Sequence, residues 1–338
     1  MLIIGIPKEI KENEFRVSMT PKEVLKLTSE GFKVYIQTNA GINSYFTDND
    51  YINSGAIICD TIEEIYKYAN LIVKVKEPQE YEYNLINSFH TIFTFFHFAS
   101  NQNLIKAMLE SGATCIAYET IINSDGKFPI LAEMSKIAGE QGLIEANKFR
   151  NVTDLSNEIL TIIGVGNVGL ASAYKAKELG YKNINLIDKN FDKIRELKDE
   201  FNIYEFSNLN LIKLLQISTI VIGSIYNNGE KAKKIICDDM LKLLPQNSIL
   251  IDIAIDQGGI TSQSKVTSIN DPIIKYHNTN IYCVPNIPSL IPHQATIRLS
   301  DVIYPYVIDI ANKKITDEIN SGINIKSGLI IHSGLHLN

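Results

Sequence analysis

The segment ILTIIGVGNVGLASAYKAKELGYKNINLID, residues 159–188, decides the fold. It begins with a continuous apolar run, passes through Gly164-x-Gly166-x-x-Gly169, continues as a helical pattern and ends in a second apolar run closed by Asp188. The first glycine permits a tight turn, the second a close approach of the backbone to a ligand, and the third close packing of the helix on the strand. The order of these parts predicts a strand, a glycine turn, a helix and a second strand of the Rossmann type.

The same turn is the predicted cofactor site. The start of the helix offers unpaired N–H groups and the positive end of its dipole to a pyrophosphate. Asp188 follows Gly169 by 19 residues, where a carboxylate accepts hydrogen bonds from ribose hydroxyls and repels a 2′-phosphate, so the sequence favours NAD(H) over NADP(H). The predicted cofactor-binding residues are Gly164, Gly166, Asn167, Val168, Gly169 and Asp188. The alternative is a glycine turn in an α/β protein that binds no nucleotide.

Strand and helix patterns alternate through both halves of the chain, which predicts largely parallel sheets. In the first half the predicted strands are 2–6, 33–38, 71–78, 91–99 and 113–120, and the predicted helices are 20–31, 61–70 and 102–112. After a polar stretch at 147–158, the alternation restarts with the strand and glycine turn of 158–169. It continues through the segments 184–188, 191–201, 218–224, 238–245, 248–256 and 280–286. A long amphipathic helix is expected at 295–321, bent at Pro305.

These patterns predict an α/β fold of two Rossmann-like, doubly wound domains flanking a cleft. We expect the helix at 295–321 to return to the first domain, so that domain would be discontinuous. The predicted substrate (catalytic) domain is residues 1–135 plus 290–338, and the predicted NAD-binding Rossmann domain is residues 136–289.

Composition excludes several classes of protein. The 338 residues include 32 Lys and Arg against 38 Asp and Glu, a formal charge of −6, which is unsuited to a broad nucleic-acid surface. No apolar run reaches the roughly 18–20 residues that span a bilayer, and the N-terminus carries no secretory pattern. We therefore expect a cytoplasmic protein without a membrane or nucleic-acid partner. The four cysteines lie far apart, so neither a metal site nor a disulfide framework is expected.

Polar side chains interrupt two of the apolar strands in the first half. LIVKVKEP places Lys74 and Lys76 on the same face of one strand. Burying a lysine there is unfavourable unless its ammonium group reaches solvent or an anion. We expect Lys74 to extend to solvent and Lys76, nearest the carboxyl end, to face a ligand, since ligand sites in such sheets lie at those ends. TIFTFFHFA places His97 among phenylalanines, where the alternative is a histidine that serves only the core.

Two further segments carry charged residues that would suit a ligand site. SILIDIAIDQGG contains Asp252 and Asp256 in an otherwise apolar strand, with Asp256 at its end before two glycines. Arg16 follows NEF near the N-terminus, and its guanidinium could bind a carboxylate with two hydrogen bonds. The alternative for Arg16 is an ordinary surface arginine.

Together these segments resemble the alanine dehydrogenase family, within the larger group that includes proton-translocating transhydrogenase α-subunits. The matching strings are GIPKEIKENEFRVSMTP (5–21), LIVKVKEP (71–78), FTFFHFA (93–99), AYET (117–120), MSKIAG (134–139), the glycine motif, DIAIDQGG (252–259) and, more loosely, VPNIP (284–288). They run in the family's order and cover most of the chain. The resemblance implies nucleotide and substrate domains, and reversible NAD-dependent oxidative deamination of L-alanine to pyruvate and ammonium.

The resemblance also implies a role for individual residues. Arg16 and Lys76 resemble the binders of the substrate carboxylate and carbonyl, His97 the active-site histidine and Asp256 the catalytic carboxylate, which also contacts the cofactor. Met134 and Asn286 resemble residues of the substrate pocket, and Ser135 a cofactor contact. The family also implies a homo-oligomer, a dimer or a hexamer.

Several positions depart from the family pattern. Phe95 stands in place of a tyrosine and Glu140 in place of an arginine, and the segments 225–235 and 287–296 differ. These departures leave two alternatives open. One is an opine-type reductase that condenses pyruvate with an amino acid, and the other is a nucleotide-binding paralogue without catalysis.

Overall fold

The computed structural model describes residues 1–150, 152–225 and 232–337. It divides into two compact units. The first unit combines Met1–Met134 with Ile291–Asn338, and the second is Ser135–Leu290. Each unit contains its own sheet of mainly parallel strands with helices, so the predicted α/β class is confirmed.

The elements are numbered along the chain. The strands are β1 Ile4–Ile6, β2 Val34–Gln37, β3 Ile57–Cys59, β4 Leu71–Lys76, β5 Thr91–Phe95, β6 Thr114–Ala117, β7 Ile159–Ile163, β8 Asn183–Asp188, β9 Asn202–Glu205, β10 Ile220–Gly223, β11 Ser248–Asp252, β12 Ile273–Tyr276, β13 Thr279–Tyr282, β14 Ile323–Lys326 and β15 Leu329–Ile330. The helices are α1 Pro21–Ser29, α2 Asp48–Asn53, α3 Ile62–Tyr68, α4 Glu80–Tyr83, α5 Gln102–Ser111, α6 Pro129–Lys148, α7 Asn167–Glu178, α8 Phe191–Arg195, α9 Asn208–Leu215, α10 Asp238–Leu241, α11 Pro292–Ala311 and α12 Asp317–Ser321.

The sheet of the first unit runs in the order β15-β14-β6-β5-β4-β1-β2-β3. Strands β1 to β6 pair in parallel, whereas β14 is antiparallel to β6 and to β15. The carboxyl ends of β1, β4, β5 and β6 therefore lie along one edge of the sheet. Residues that follow these strands are brought to that edge, where α/β proteins bind ligands.

The sheet of the second unit runs in the order β12-β13-β11-β10-β7-β8-β9, with only β12 antiparallel among the strands that the structure describes. The chain passes from β7 outward through β8 and β9, then returns to β10 on the other side of β7. The direction of winding thus reverses beside β7. A crevice at such a reversal is the usual ligand site of a doubly wound sheet.

Both faces of the second sheet are covered, which explains why its strands are continuously apolar. In β7, Ile162 and Ile163 are fully buried and belong to hydrophobic clusters on opposite faces. In β11, Ile251 joins the cluster of Ile162, whereas Leu250 joins the cluster of Ile163. Alternate side chains of a strand point to opposite faces, so each strand contributes to two cores.

Some elements differ from the sequence prediction. The expected helix over 295–321 is wrong as one element, because α11 ends at Ala311 and α12 begins at Asp317; Pro305 lies inside α11. The helix α6, which contains the boundary between the two units, was not predicted, because its apolar residues do not gather on one face. The hairpin of β14 and β15 was not predicted either.

Across the described ranges, none of the helices has the length and apolar character needed to cross a membrane.

Candidate functional site

The glycine turn after β7 has the conformation that its sequence requires. Gly164 adopts φ +90°, a left-handed value that side chains disfavour. A Cβ at Gly169 would overlap the carbonyl oxygen of Gly164, so the third glycine allows α7 to begin directly against the turn. A Cβ at Gly166 would meet no atom of the described residues within 4 Å, so none of them covers this backbone. The turn is therefore closed on the protein side and open on the side where a pyrophosphate would approach.

Asp188, at the end of β8, is bonded to the glycine turn. Its Oδ2 accepts the N–H of Val165 at 2.6 Å, and its Oδ1 accepts the N–H of Asn190 at 2.8 Å. These bonds fix the carboxylate beside the turn, where a carboxylate can also accept from a ribose hydroxyl. The structure thus brings together the predicted acid and the predicted glycines.

Two residues that sequence reasoning missed support the turn. The hydroxyl of Ser224, just after β10, donates to the carbonyl oxygen of Gly164 at 2.6 Å. Gly139 in α6 lies so close to α7 that a Cβ there would overlap the carbonyl oxygen of Val168, and Ser172 donates to the Gly139 carbonyl at 2.9 Å. Gly139 belongs to MSKIAG, and its role is to let the two helices approach.

A dinucleotide fits the residues present at this turn. Helix α7 begins at Asn167 with Gly166 at its N-cap and is 12 residues long, so its first N–H groups, including those of Asn167 and Val168, are available to an anion. The open space at Gly166 and the carboxylate of Asp188 complete the features expected of a pyrophosphate and ribose site.

Three other predicted residues lie elsewhere in the second unit. Ser135 is half-buried in α6. Asn286 has φ +52°, and its carbonyl oxygen accepts the N–H of Ser289 at 2.9 Å. Asp256 was predicted at the end of a strand, and this is wrong: β11 ends at Asp252, and Asp256 lies exposed in a 3₁₀ helix, Ile253–Gln257.

Asp252, the last residue of β11, is bonded to the turn that follows Asp256. It is buried, and its Oδ2 accepts the N–H of Ile260 at 2.7 Å and the hydroxyl of Ser264 at 2.5 Å. Burial raises the pKa of Asp252, although these hydrogen bonds oppose the rise. A Cβ at Gly259 would crowd the same Oδ2, which accounts for a glycine there. Asp252 thus ties down the turn that presents Asp256.

Arg16 in the first unit is buried and bonded to a carboxylate of its own segment. Its Nε and Nη2 donate to the two carboxylate oxygens of Glu14, each at 2.6 Å, and the two side chains are 2% and 0% exposed. Its Nη1 lies 3.3 Å from the sulfur of Met134, a weak acceptor. Glu14 therefore occupies one edge of the guanidinium and fixes its plane. The structure brings together Arg16 and Met134, both predicted to contact the substrate.

The expectation that Lys74 reaches solvent is wrong. Lys74 is fully buried, and its Nζ lies 3.4 Å from Oε2 of Glu9 and 3.0 Å from Oε1 of Glu82. Lys76 is half-buried at the end of β4, and its carbonyl oxygen accepts the hydroxyl of Thr94 in β5 at 2.9 Å. The pairing of β4 with β5 shifts register between Val73 and Lys76. The two lysines therefore lie in different environments despite their alternating spacing.

His97 was expected among buried phenylalanines, and this is also wrong. Strand β5 ends at Phe95, and His97 follows with φ +50° and a side chain that is 44% exposed. Its N–H donates to Oε1 of Glu119 at 2.6 Å, and its Nδ1 lies 3.5 Å from Oε2 of Glu77. Because β4 and β5 are neighbours, Lys76 and His97 follow adjacent strands to the same edge of the sheet.

Glu77 is charged because of its neighbours. Burial would raise the pKa of this carboxyl, but the contacts with His97 and with the ammonium of Lys11 outweigh burial and lower the pKa to about 2. An ionised carboxylate in contact with an imidazole fixes the orientation of the ring.

Sequence reasoning missed the carboxylates Glu9, Glu14, Glu77 and Glu119. The sequence could have indicated two of these carboxylates, because Glu14 lies two residues from Arg16 and Glu77 follows Lys76 directly. Glu9 and Glu119 reach their partners only through the fold. As for the altered segment 225–235, its residues 226–231 lie outside the described part of the chain.

The second unit, with a glycine turn at the reversal of a doubly wound sheet, defines a protein of the two-domain, Rossmann-type α/β class. The N-terminal domain model of the alanine dehydrogenase/PNT family matches residues 5–138, and its C-terminal domain model matches residues 149–338. The chain belongs to this family, so the family predicted from the sequence is confirmed.

Individual relatives match over nearly the whole chain. An alanine dehydrogenase of Mycolicibacterium smegmatis is 34% identical over 349 residues, with 98% of this chain and 94% of that protein covered. One of Staphylococcus epidermidis is 34% identical, with 98% and 95% covered. A solved L-alanine dehydrogenase superposes with a TM-score of 0.92 at 29% identity, covering 98% of this chain and 97% of that one. A transhydrogenase of Sinorhizobium meliloti, at 20% identity and a TM-score of 0.87, shares the fold.

Proposed function

We propose that the protein is an amino-acid dehydrogenase that converts L-alanine, NAD⁺ and water reversibly to pyruvate, ammonium, NADH and a proton. The observation that carries the proposal is that Lys76 and His97 follow adjacent strands to one edge of a sheet, in a chain that matches alanine dehydrogenases over 98% of its length. The buried guanidinium of Arg16 beside Met134 supports a small carboxylate as the substrate.

The protein's own groups would bind and orient the substrate. When bound, the nicotinamide cofactor supplies the acceptor for the hydride that leaves Cα of alanine. Arg16 would bind the substrate carboxylate, with Met134 against the substrate methyl group. Holding the carboxylate in this way limits the orientations of Cα, which is a proximity effect. Asn286 is a further proposed substrate contact.

Ionisable side chains of the protein would carry the protons during the reaction. Loss of a proton from the ammonium group and of hydride from Cα leaves an iminium ion. Water attacks it to give a carbinolamine, and proton transfer from the added oxygen to the nitrogen then releases pyruvate and ammonium. Lys76 would donate a hydrogen bond to the developing carbonyl oxygen. His97, oriented by Glu77, and Asp256 of the second unit are the proposed proton carriers at the carbinolamine stage.

NAD is the cofactor that we propose. Support comes from the carboxylate of Asp188 beside the glycine turn, since it would repel a 2′-phosphate. Ser135, Asp256 and the residues Gly164 to Gly169 would complete its contacts. Further parts of this proposal are a cytoplasmic location and a homo-oligomer, a dimer or hexamer.

The decisive assay measures NADH oxidation with a panel of 2-oxo acids, each with and without ammonium. We expect pyruvate with ammonium to give the highest kcat/KM and NADPH to be a poor substitute. Activity only with pyruvate plus a second amino acid would replace this proposal with an opine-type reductase. NADH binding without turnover on any pair would indicate a paralogue without catalysis.

Two variants assign the chemistry to the proposed groups. Lys76→Ala should lower kcat by about 100-fold or more, while the Kd for NADH changes little. Asp256→Ala should lower kcat as strongly, and the Kd for NADH should rise only moderately, because Asp256 is also a proposed cofactor contact. A matched control is Lys275→Ala, which removes an exposed lysine from β12. Equal loss of NADH binding in both variants would indicate disturbed folding and would remove the support for these roles.

A further inference from the structure

We propose that Glu9 is a positioning residue for Lys76: its buried carboxylate holds the backbone at the end of β4 and thereby sets the direction of the lysine side chain. The effect of Glu9 on catalysis rests on the proposed function of Lys76. Its effect on the structure, which is to fix the end of β4, does not depend on that function.

The first observation is the pair of hydrogen bonds from β4 to Glu9. Its Oε1 accepts the N–H of Val75 at 2.6 Å and that of Lys76 at 3.4 Å. Strand β1 pairs with β4 only at Leu71 and Ile72. Among the described residues, β1 pairs with no residue of β4 after Ile72. The Glu9 side chain instead supplies the acceptor for the next part of β4. Buried N–H groups need such an acceptor.

The second observation is the irregular pairing on the other side of β4. The register with β5 shifts between Val73 and Lys76, so the ladder alone does not fix this end of the strand. Thr94 holds the carbonyl oxygen of Lys76 at 2.9 Å, and Glu9 holds the N–H side. The backbone of Lys76 is therefore fixed from both sides by side chains.

The third observation is that the Glu9 carboxylate is itself held. Its Oε2 lies 3.4 Å from Nζ of Lys74, which also pairs with Glu82 at 3.0 Å, and Tyr66 donates to Glu82 at 2.9 Å. The side chains of Glu9, Lys74 and Glu82 are 3%, 0% and 0% exposed. Burying three ionisable groups is costly and gives little net stability. Fixed geometry at the strand end is a benefit that offsets this cost.

The arrangement indicates which substitutions of Glu9 separate the effect of its acceptor position from the effect of its charge. The groups that face Glu9 are the ammonium of Lys74, the carboxylates of Glu82 and Glu14, and the hydroxyls of Tyr66 and Tyr118. Glutamine at position 9 keeps an acceptor oxygen for the two N–H groups and leaves Lys74 with Glu82. Alanine removes the acceptor, and aspartate draws it back by one methylene.

The experiment compares Glu9→Gln, Glu9→Ala and Glu9→Asp with the wild type, and uses Glu12→Ala, an exposed carboxylate in the same loop, as the matched control. Four quantities are measured: kcat and KM for pyruvate, the Kd for NADH, and the rate of hydrogen exchange at the amides of Val75 and Lys76. We expect Glu9→Ala and Glu9→Asp to lower kcat by at least about tenfold with the Kd for NADH unchanged, because small misplacements of a catalytic group are costly. Exchange at both amides should accelerate in these two variants only.

Each outcome decides the proposal. If Glu9→Ala does not fold, Glu9→Asp carries the test with the same expected result. A folded Glu9→Asp or Glu9→Ala variant with wild-type kcat and protected amides overturns the proposal, and so does a Glu9→Gln variant as impaired as Glu9→Ala, since charge would then be the cause. If the wild type shows no ammonium-dependent turnover, the proposed function fails, and the exchange data still decide whether Glu9 fixes the strand.

Discussion

The guanidinium group of Arg16 and the carboxylate of Glu14 form a buried two-point ion pair, with Nε and Nη2 each 2.6 Å from a carboxylate oxygen. The pair fixes the plane of the guanidinium and leaves Nη1 directed at Met134. A substrate carboxylate would therefore meet a cation whose position is set before binding. Preorganisation of this kind lowers the entropic cost of orienting a small anion.

Arg16→Lys tests this arrangement. Lysine keeps the positive charge but has no planar fork, so it cannot bond Glu14 and a substrate at two defined edges. We expect the KM for pyruvate to rise by about tenfold or more, a loss of roughly 1.4 kcal/mol in binding, with the Kd for NADH unchanged. Arg195→Lys, at an exposed ion pair with Asp192, is the matched control. An unchanged KM for pyruvate would show that Arg16 does not bind the substrate.

The ion pair of Glu77 with His97 and Lys11 predicts a loss of stability in acid. The folded-state pKa of Glu77, about 2, lies below the ordinary value of 4.5, so its contribution is present above pH 4.5 and is lost as the pH falls. The pKa shift limits the contribution of Glu77 to the unfolding free energy to about 3 kcal/mol at most. Solvent screening at the half-exposed His97 reduces this contribution. Relative to Glu77→Gln, the wild type should lose about 1 kcal/mol of unfolding free energy between pH 6 and pH 3.5. A difference independent of pH would contradict this account.

Glu9 predicts the opposite dependence. Burial raises its pKa from 4.5 to about 7, although Lys74 opposes the rise, so the folded state binds the proton more tightly than the unfolded state. Stability is fully present below pH 4.5 and declines as the pH rises through 7. The unfolding free energy of Glu9→Gln minus that of the wild type should rise by on the order of 3 kcal/mol between pH 4.5 and pH 8. Denaturant unfolding at several pH values measures it, and a falling difference would be the contrary result.

The glycine turn gives a contrast between two alanine substitutions. Gly166→Ala places a methyl group at φ −84° where no described residue lies within 4 Å, so the melting temperature should fall only slightly, by the loss of a glycine N-cap. The methyl group would obstruct the pyrophosphate, and we expect the Kd for NADH to rise by at least about tenfold. Gly169→Ala overlaps the carbonyl oxygen of Gly164 and should lower the melting temperature. Normal NADH affinity in Gly166→Ala would argue against a cofactor at this turn.

The glycine turn was predictable because its determinants are local. Apolar strand, glycine spacing and Asp188 lie within one segment, and the structure places them together as expected. The polar residues of the first unit were harder. The partners of Lys74 are Glu9 and Glu82, which no spacing rule connects to it, so the lysine was expected in solvent although it is buried.

His97 and Asp256 show a second reason for error. Both were read as parts of strands because apolar runs continue past them. The strands end earlier, at Phe95 and Asp252. After Phe95, Glu119 accepts the N–H groups of Phe96 and His97, and Asp252 itself accepts the N–H of Ile260, eight residues further along the chain. Side chain to backbone bonds of this kind compete with strand pairing and leave little trace in hydrophobic periodicity.

The most direct test of the proposed reaction follows the hydrogen on Cα. L-Alanine carrying deuterium at Cα is incubated with NAD⁺ and the wild-type protein, and the products are analysed by mass spectrometry and proton NMR. We expect pyruvate, ammonium and NADH with deuterium at C4 of the nicotinamide, in equal amounts. Pyruvate formed without deuterium in NADH, or no reaction with alanine at any concentration of NAD⁺, would contradict the account.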